Sequence, residues 1–195
     1  MNTPEIKTAR LVLRRFQSGD AEALYALLRD EEVNTFLPWF PLQSLEEARA
    51  HLRENYLKSY EKPSGFRYAV CLKAENVPIG YVALGGGAPF DLGYGLGKAH
   101  WHRGIITEAC KAVLEQIRLS GLPYVTATHD RNNPRSGSVM KAIGMRYRYS
   151  YEELWQPKNQ TVTFRLYQLN LDGREDRVYR GYCENHPVHF IENGL

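Results

Sequence analysis

Gly93-Tyr94-Gly95-Leu96-Gly97-Lys98-Ala99-His100-Trp101-His102-Arg103-Gly104-Ile105-Ile106-Thr107-Glu108-Ala109 is a strand that runs into a basic, glycine-bearing loop, with an amphipathic helix starting directly after it. The first amides of such a helix have no internal carbonyl partner and point outward at its positive dipole end. Together with Arg103 they form a receptacle for a pyrophosphate. Gly104 lacks a Cβ, so backbone can approach phosphate oxygens closely. A plain turn glycine before a helix fits the bare pattern equally well. The dinucleotide fingerprint fits poorly, because Gly93, Gly95 and Gly97 alternate and no third glycine falls at the required place.

Working outward, Asp91 to Leu96 begins the strand, and helix runs from about Ile105 to Leu119 with Ile106, Ala109, Cys110, Val113 and Ile117 on one face. Tyr124 to Thr128 is the next strand. A strand–helix–strand unit of this length permits a parallel crossover. Upstream, Phe66–Leu72 and Pro78–Leu84 form a hairpin across a polar turn, and Ala9–Phe16 reads as a first strand. Helices start at Ser18-Gly19-Asp20 and at the capping box Ser44-Leu45-Glu46-Glu47, the second running to about Lys58. Downstream, Ser136 to Ile143 is a short helix ending at Gly144, and strands over 146–154 and 161–169 flank a turn at Pro157. The order β-α-α-β-β-β-α-β-α-β-β predicts an α/β fold. Its sheet is mixed but mostly antiparallel, with one parallel strand pair and helices on both faces. The pattern fades after Leu171, dividing the chain into a domain over 1–171 and a polar C-terminal tail over 172–195.

Composition excludes several classes. The chain has 195 residues, 43% hydrophobic and 24% charged, which suits one globular domain with a real core. No apolar run is long enough to span a membrane. The stretch from Met1 to Glu5 lacks the basic-then-apolar layout of a secretory signal. Cys71, Cys110 and Cys183 are scattered and odd in number, which fits a cytoplasmic protein better than a disulfide framework. A net charge of +3, without a basic stripe, disfavours nucleic acid. Cys183, His186 and His189 have the spacing of a partial zinc site but lack a clear fourth ligand, so no metal site is assigned.

A second segment adds to the first. Asn133-Pro134-Arg135-Ser136-Gly137-Ser138-Val139-Met140-Lys141-Ala142-Ile143-Gly144-Met145 opens a short helix with an asparagine and a serine three apart, an arrangement that capping alone also produces. Taken together, the two segments resemble the GNAT superfamily of acetyltransferases, and within it the branch of the ribosomal-protein N-terminal acetyltransferases. The first is similar to that family's motif A, Q/R-x-x-G-x-G/A. The second is similar to motif B of the branch, N-x-x-S followed by an apolar helix and G-F. Arg10-Leu11-Val12-Leu13-Arg14, Leu37-Pro38-Trp39 and Pro78-Ile79-Gly80 match as well, so the resemblance spans about Thr8 to Leu169. Trp101 stands where glutamine or arginine is usual, His102 where glycine is common, Ile106 where glycine or alanine is common, and Met145 replaces phenylalanine.

The resemblance implies an N-acetyltransferase that uses acetyl-CoA as cosubstrate. The pyrophosphate would lie on the amides of His102, Arg103, Gly104, Ile105, Ile106 and Thr107, beside a gap in the sheet. Pantetheine would run along Tyr94, Gly95 and Leu96 like an added strand, and Asn133 would touch its arm. Ser136 matches the serine that protonates the departing thiolate, with capping of its own helix the competing role. Amides near Gly95 and Leu96 would hold the oxyanion. Asp91 is the first candidate for the general base and Glu153 the second, ahead of Glu108, Glu152 and His129. Trp39 and Phe40 are candidates for the acceptor pocket, or equally a core anchor. The acceptor is an amine, either a protein N-terminus or a small molecule such as an aminoglycoside, and a homodimer is a family-level expectation. Two other readings stand beside this one. A non-catalytic CoA-binding module of the same fold would fail a thiol-release assay, and a dinucleotide enzyme would prefer NAD to CoA in thermal shifts.

Overall fold

The computed structural model describes residues 3–62 and 64–195. Met1 and Asn2, which open the stretch read above for a secretory signal, and Pro63 lie outside the described residues. The first half contains β1 (Ile6–Lys7), β2 (Leu11–Arg14), α1 (Ala21–Leu28), α2 (Glu31–Asn34), α3 (Leu45–Asn55), β3 (Phe66–Leu72), β4 (Pro78–Leu84) and β5 (Leu92–Leu96). The second half contains α4 (Ile105–Arg118), β6 (Tyr124–Asp130), α5 (Pro134–Ala142), β7 (Arg146–Trp155), β8 (Gln160–Asn170), α6 (Gly181–Asn185) and β9 (His189–Phe190).

β1 to β5 form an antiparallel sheet in chain order. Strand alternation sends Leu11, Leu13, Tyr68, Val70 and Val82 to one face. There they meet the buried stripe of α4: Ile105, Ala109, Val113, Leu114 and Ile117. The other face presents Ala69, Cys71 and Tyr81 to Leu24, Leu28 and Leu52 of α1 and α3. Helices therefore cover both faces, and each fully buried leucine or isoleucine contributes about 1.5–3 kcal/mol.

Local chemistry sets the helix ends. Ser44 Oγ accepts the Glu47 amide at 3.1 Å, while Glu47 Oε2 reaches back to the Gln43 amide at 2.9 Å. The return arm of the capping box thus lands one residue before the cap. α3 stops at Asn55, short of the expected Lys58, and a 3-10 turn over Leu57–Glu61 follows. α5 starts two residues before the expected Ser136. Asn133 is its cap, accepting the Ser136 amide at 3.3 Å, and Pro134 takes the first helical position, where a missing N–H costs nothing.

The remaining strands form a second antiparallel sheet, ordered β6-β8-β7-β9. Here the expected parallel pair is reduced to one bridge, Asp91 with Thr126, and the two sheets part beyond it. The Thr126 amide donates to Phe90 O at 3.2 Å, and its hydroxyl oxygen lies 3.0 Å from Pro89 O. From that hinge β6 stays paired with β8 through Asp130, whereas β5 stays paired with β4 through Leu96. Each strand follows the twist of its own sheet, so a gap opens between them. Residues 172–195 fold back over the second sheet, where Val178, Tyr182 and Cys183 pack against Tyr149, Tyr151, Val162, Phe164 and Leu166.

Candidate active site

The gap between β5 and β6 belongs to a cleft of roughly 1250 Å³ that runs from the start of α4 to α5 and on to β7. At its α4 end the backbone is specialised. Gly104 has φ 69° and His102 has φ 59°, both left-handed, so a side chain at 104 would be strained. Backbone of alternating hand turns successive N–H groups to one side and makes an anion nest. Gly104 supplies no capping side chain to the helix amides that follow. Glu108, the acid of the first turn, is engaged elsewhere: it accepts Thr8 Oγ1 at 2.6 Å, the Arg10 amide at 3.2 Å and Arg10 Nε at 2.7 Å. Burial pushes the Glu108 carboxyl up, but these hydrogen bonds outweigh burial and hold it below its ordinary value. Arg10 Nη1 also donates to the Arg103 carbonyl at 2.9 Å, clamping the loop from the N-terminal side.

His102, Gly104, Ile105, Ile106 and Thr107 line the cleft. Arg103 does not; its side chain is exposed, and its part in the loop is the carbonyl held by Arg10. Arg135, which the sequence did not single out, does line the cleft, with its guanidinium 5.1 Å from the centre of the Trp101 ring. Trp101 in turn donates its indole N–H to Leu96 O at 2.8 Å. The aromatic residue that departs from the motif therefore carries a cation borrowed from α5.

Along the gap, Tyr94, Gly95 and Leu96 line the cleft from β5. Their strand is the free edge of the first sheet, and such an edge offers unpaired backbone groups to an extended ligand. Gly95 is fixed by packing, because a Cβ there would lie 2.5 Å from the Tyr81 ring. The Tyr94 side chain crosses the gap. Its hydroxyl donates to Ser136 O at 2.8 Å and lies 2.9 Å from Ser136 Oγ. Burial pushes this phenol well above its ordinary pKa, so it keeps its proton. Asn133 caps α5, and Ser136 uses its hydroxyl toward Tyr94, not as the helix cap.

Asp91 sits at the hinge of the two sheets and lines the cleft. Burial pushes its carboxyl up to about 6, against the lowering effect of the Thr126 hydroxyl, which donates to Oδ1 at 3.1 Å. A carboxylate titrating there is a competent acceptor of an ammonium proton near neutrality. Glu153 also lines the cleft, with Oε2 3.9 Å from His186 Nε2. Glu152 lies outside the cleft lining, and its amide donates to Val188 O at 3.0 Å. His129 lines the cleft but is packed against α5. Its Nδ1 is 2.8 Å from Asp130 O, and a Cβ on Gly137 would sit 2.6 Å from its Nε2. Burial lowers its pKa.

Trp39 lines the cleft and meets His51 edge-on at 5.2 Å. Phe40 does not line it and is 59% exposed. The residue before a proline is held extended, and neighbouring side chains of extended backbone point to opposite sides. The same end of the cleft gains Tyr151, Trp155, Phe164 and Tyr182. Alternation along β7 and β8 could have placed the first three on a common face, but nothing in the tail pattern marks Tyr182 as a neighbour of Asp91.

Comparison with known proteins adds the following. The acetyltransferase (GNAT) domain family matches residues 10–146. The uncharacterized N-acetyltransferase YnaD of Bacillus subtilis (strain 168) is 30% identical over 145 residues, 72% of this chain and 82% of that protein. A GNAT-family acetyltransferase from Bacillus anthracis superimposes with a TM-score of 0.76 at 22% identity, covering 87% of this chain and 99% of its own. RimL, a ribosomal L7/L12 alpha-N-protein acetyltransferase solved with coenzyme A, gives a TM-score of 0.76 at 18% identity with the same coverage. These two likenesses are of fold.

Proposed function

This chain belongs to the acetyltransferase (GNAT) family, and on that premise we propose that it moves an acetyl group from acetyl-CoA to a primary amine held beside Asp91. The observation that carries the proposal is the meeting, in one cleft, of an uncapped α4 start and a free β5 edge. The nest at His102–Gly104 and the amides of Ile105 to Thr107 suit a diphosphate, with Arg135 on Trp101 as the nearby cation. Pantetheine would then extend along Tyr94–Leu96 as a strand would, with Asn133 beside it. Coenzyme A in the RimL structure supports this choice of cosubstrate.

In this scheme Asp91 takes a proton from the incoming ammonium, freeing the nitrogen lone pair to attack the thioester carbon. Amides of the β5 edge near Gly95 and Leu96 hold the oxyanion. As the carbon–sulfur bond breaks, Ser136 gives its hydroxyl proton to the thiolate and takes the second proton of the attacking nitrogen, which leaves a thiol, a neutral amide and the serine restored. Tyr94 fixes that hydroxyl, which has been released from any capping duty by Asn133. Glu153, farther along the cleft, helps to hold the cationic acceptor. A protein α-amino group is the acceptor that the RimL name favours, and a small-molecule amine is the other. Three cysteines without disulfide partners fit a cytoplasmic setting.

Thiol release from acetyl-CoA tests the proposal, measured with peptides bearing free N-termini and with small amines. Release that depends on the amine is the expected result. Coenzyme binding with no amine-dependent release would make the chain a binding module instead.

A further inference from the structure

One wall of the acceptor end comes from the C-terminal segment, which lies beyond the matched residues 10–146. Tyr182 of α6 lines the cleft, and its ring is stacked on that of Tyr151, 4.8 Å between centroids and 5° between planes. His186 lies 4.9 Å from the same ring on the segment's next turn. Tyr151 and Tyr182 line the same cleft as the carboxylates Asp91 and Glu153, and burial, together with those charges, raises both phenols.

The segment is fastened where it lies. Glu192 accepts Arg165 Nε at 2.9 Å, Arg165 Nη2 at 2.6 Å and Ser150 Oγ at 2.6 Å. Tyr149 donates its hydroxyl to Tyr179 O at 2.8 Å, and the buried Gln168 accepts the Tyr179 amide at 2.7 Å. These bonds flank α6 on both sides in sequence and hold Tyr182 against the cleft. Beside two carboxylates, the partly exposed rings of Trp155 and Tyr182, backed by the buried Tyr151 and Phe164, offer an apolar surface with a negative quadrupole. That surface matches an ammonium carried on a flat apolar group. A polycation would need free acids spaced along its length, and the further acids of the lining are engaged, Glu32 by Lys98 and Asp130 by the Asn132 amide.

We infer that Tyr182 is a specificity-determining residue of the acceptor pocket, and that the pocket takes a primary amine attached to a flat, apolar group. Its role as an acceptor wall rests on the acetyl-transfer reading above. The shared chemistry has two sources, a free arylalkylamine or a chain whose first residue is aromatic. Calorimetric titration of the full-length protein separates them, using phenethylamine, a tripeptide amide beginning with phenylalanine, and spermidine. At least one aromatic amine is expected to bind about five-fold or more tighter than spermidine, the tighter of the two identifying the source. Tyr182→Ala is expected to weaken that amine about five-fold with coenzyme A affinity unchanged, and Tyr182→Phe to retain it. Tyr182→Leu keeps apolar bulk without the flat face, and should fail like Tyr182→Ala even if the latter melts early. Equal affinity in wild type and Tyr182→Leu, or preference for spermidine, would overturn the inference. Loss of coenzyme A binding alone would instead count against the acetyl-transfer reading.

Discussion

Asp91 and Ser136 line one cleft, and under the proposed reaction their surroundings suit them to different tasks. Asp91 is pushed up to about 6 by burial, so it is a carboxylate at neutral pH yet basic enough to take a proton. Its active form is the deprotonated one. The rate of acetyl transfer should therefore rise as pH climbs through about 6 and level off above it. Asp91→Asn should lower kcat by about 100-fold and erase that limb, as a kcat/KM profile between pH 5 and 9 would show. A profile unchanged by Asp91→Asn would move the base to Glu153. That Asp91, Glu153 and Ser136 line one cleft was legible, Asp91 from its place on a strand and the other two from the family resemblance. The bond from Tyr94 to Ser136 was not, since it depends on a side chain crossing a gap between strands far apart in sequence. Phe40 was misplaced for a related reason: adjacency in sequence says nothing about which side of an extended backbone faces the pocket.

Among the elements, the start of α4 was the most legible, because its apolar stripe follows directly on a glycine and the resemblance to motif A pointed to the same place. What holds it was hidden. Arg10 and Thr8, about a hundred residues upstream, grip Glu108 and the Arg103 carbonyl. In the sequence Arg10 stood out only as part of a first strand and of the Arg10–Arg14 family match, and Glu108 only as a lesser candidate for the base. If this clamp shapes the nest, Arg10→Ala should raise the KM for acetyl-CoA about ten-fold, the cost of one charge-assisted hydrogen bond, and leave the acceptor KM unchanged. Steady-state kinetics with each substrate varied in turn would check it, and an acceptor KM that rises equally would contradict it. Element boundaries failed where chemistry was shared between neighbours. α5 begins early because Asn133 and Pro134 make its cap, and α2, only four residues long, has too little periodicity to be seen.

At the scale of the whole molecule, two antiparallel sheets share one bridge and part to form the cleft. The alternating strands and helices on both faces were legible. The reduction of a parallel pair to a hinge was not, because it follows from each sheet's pairing with its own neighbours. The docking of residues 172–195 was hidden too, since the tail itself reads as polar and its partners in β7 and β8 are both apolar, such as Tyr151 and Phe164, and polar, such as Ser150, Arg165 and Gln168. Glu192 makes this docking pH-dependent. Its carboxyl is held at about 2, below its ordinary 4.5, chiefly by hydrogen bonding from Arg165. A lowered carboxylate contributes stability that is present above about pH 4.5 and is lost as pH falls toward 2. Glu192→Gln should flatten that acid limb in thermal melts recorded from pH 6 to pH 2, and an acid limb as steep as in the wild type would disprove the link.

The central claim is that the nest and helix start at His102–Thr107 hold a diphosphate. Calorimetric comparison of coenzyme A with pantetheine, which lacks the diphosphate and nucleotide, tests it most directly. The account predicts binding of coenzyme A about ten-fold or more tighter, with the advantage shrinking as salt is raised. Equal affinity for the two, or no binding of coenzyme A, would contradict it.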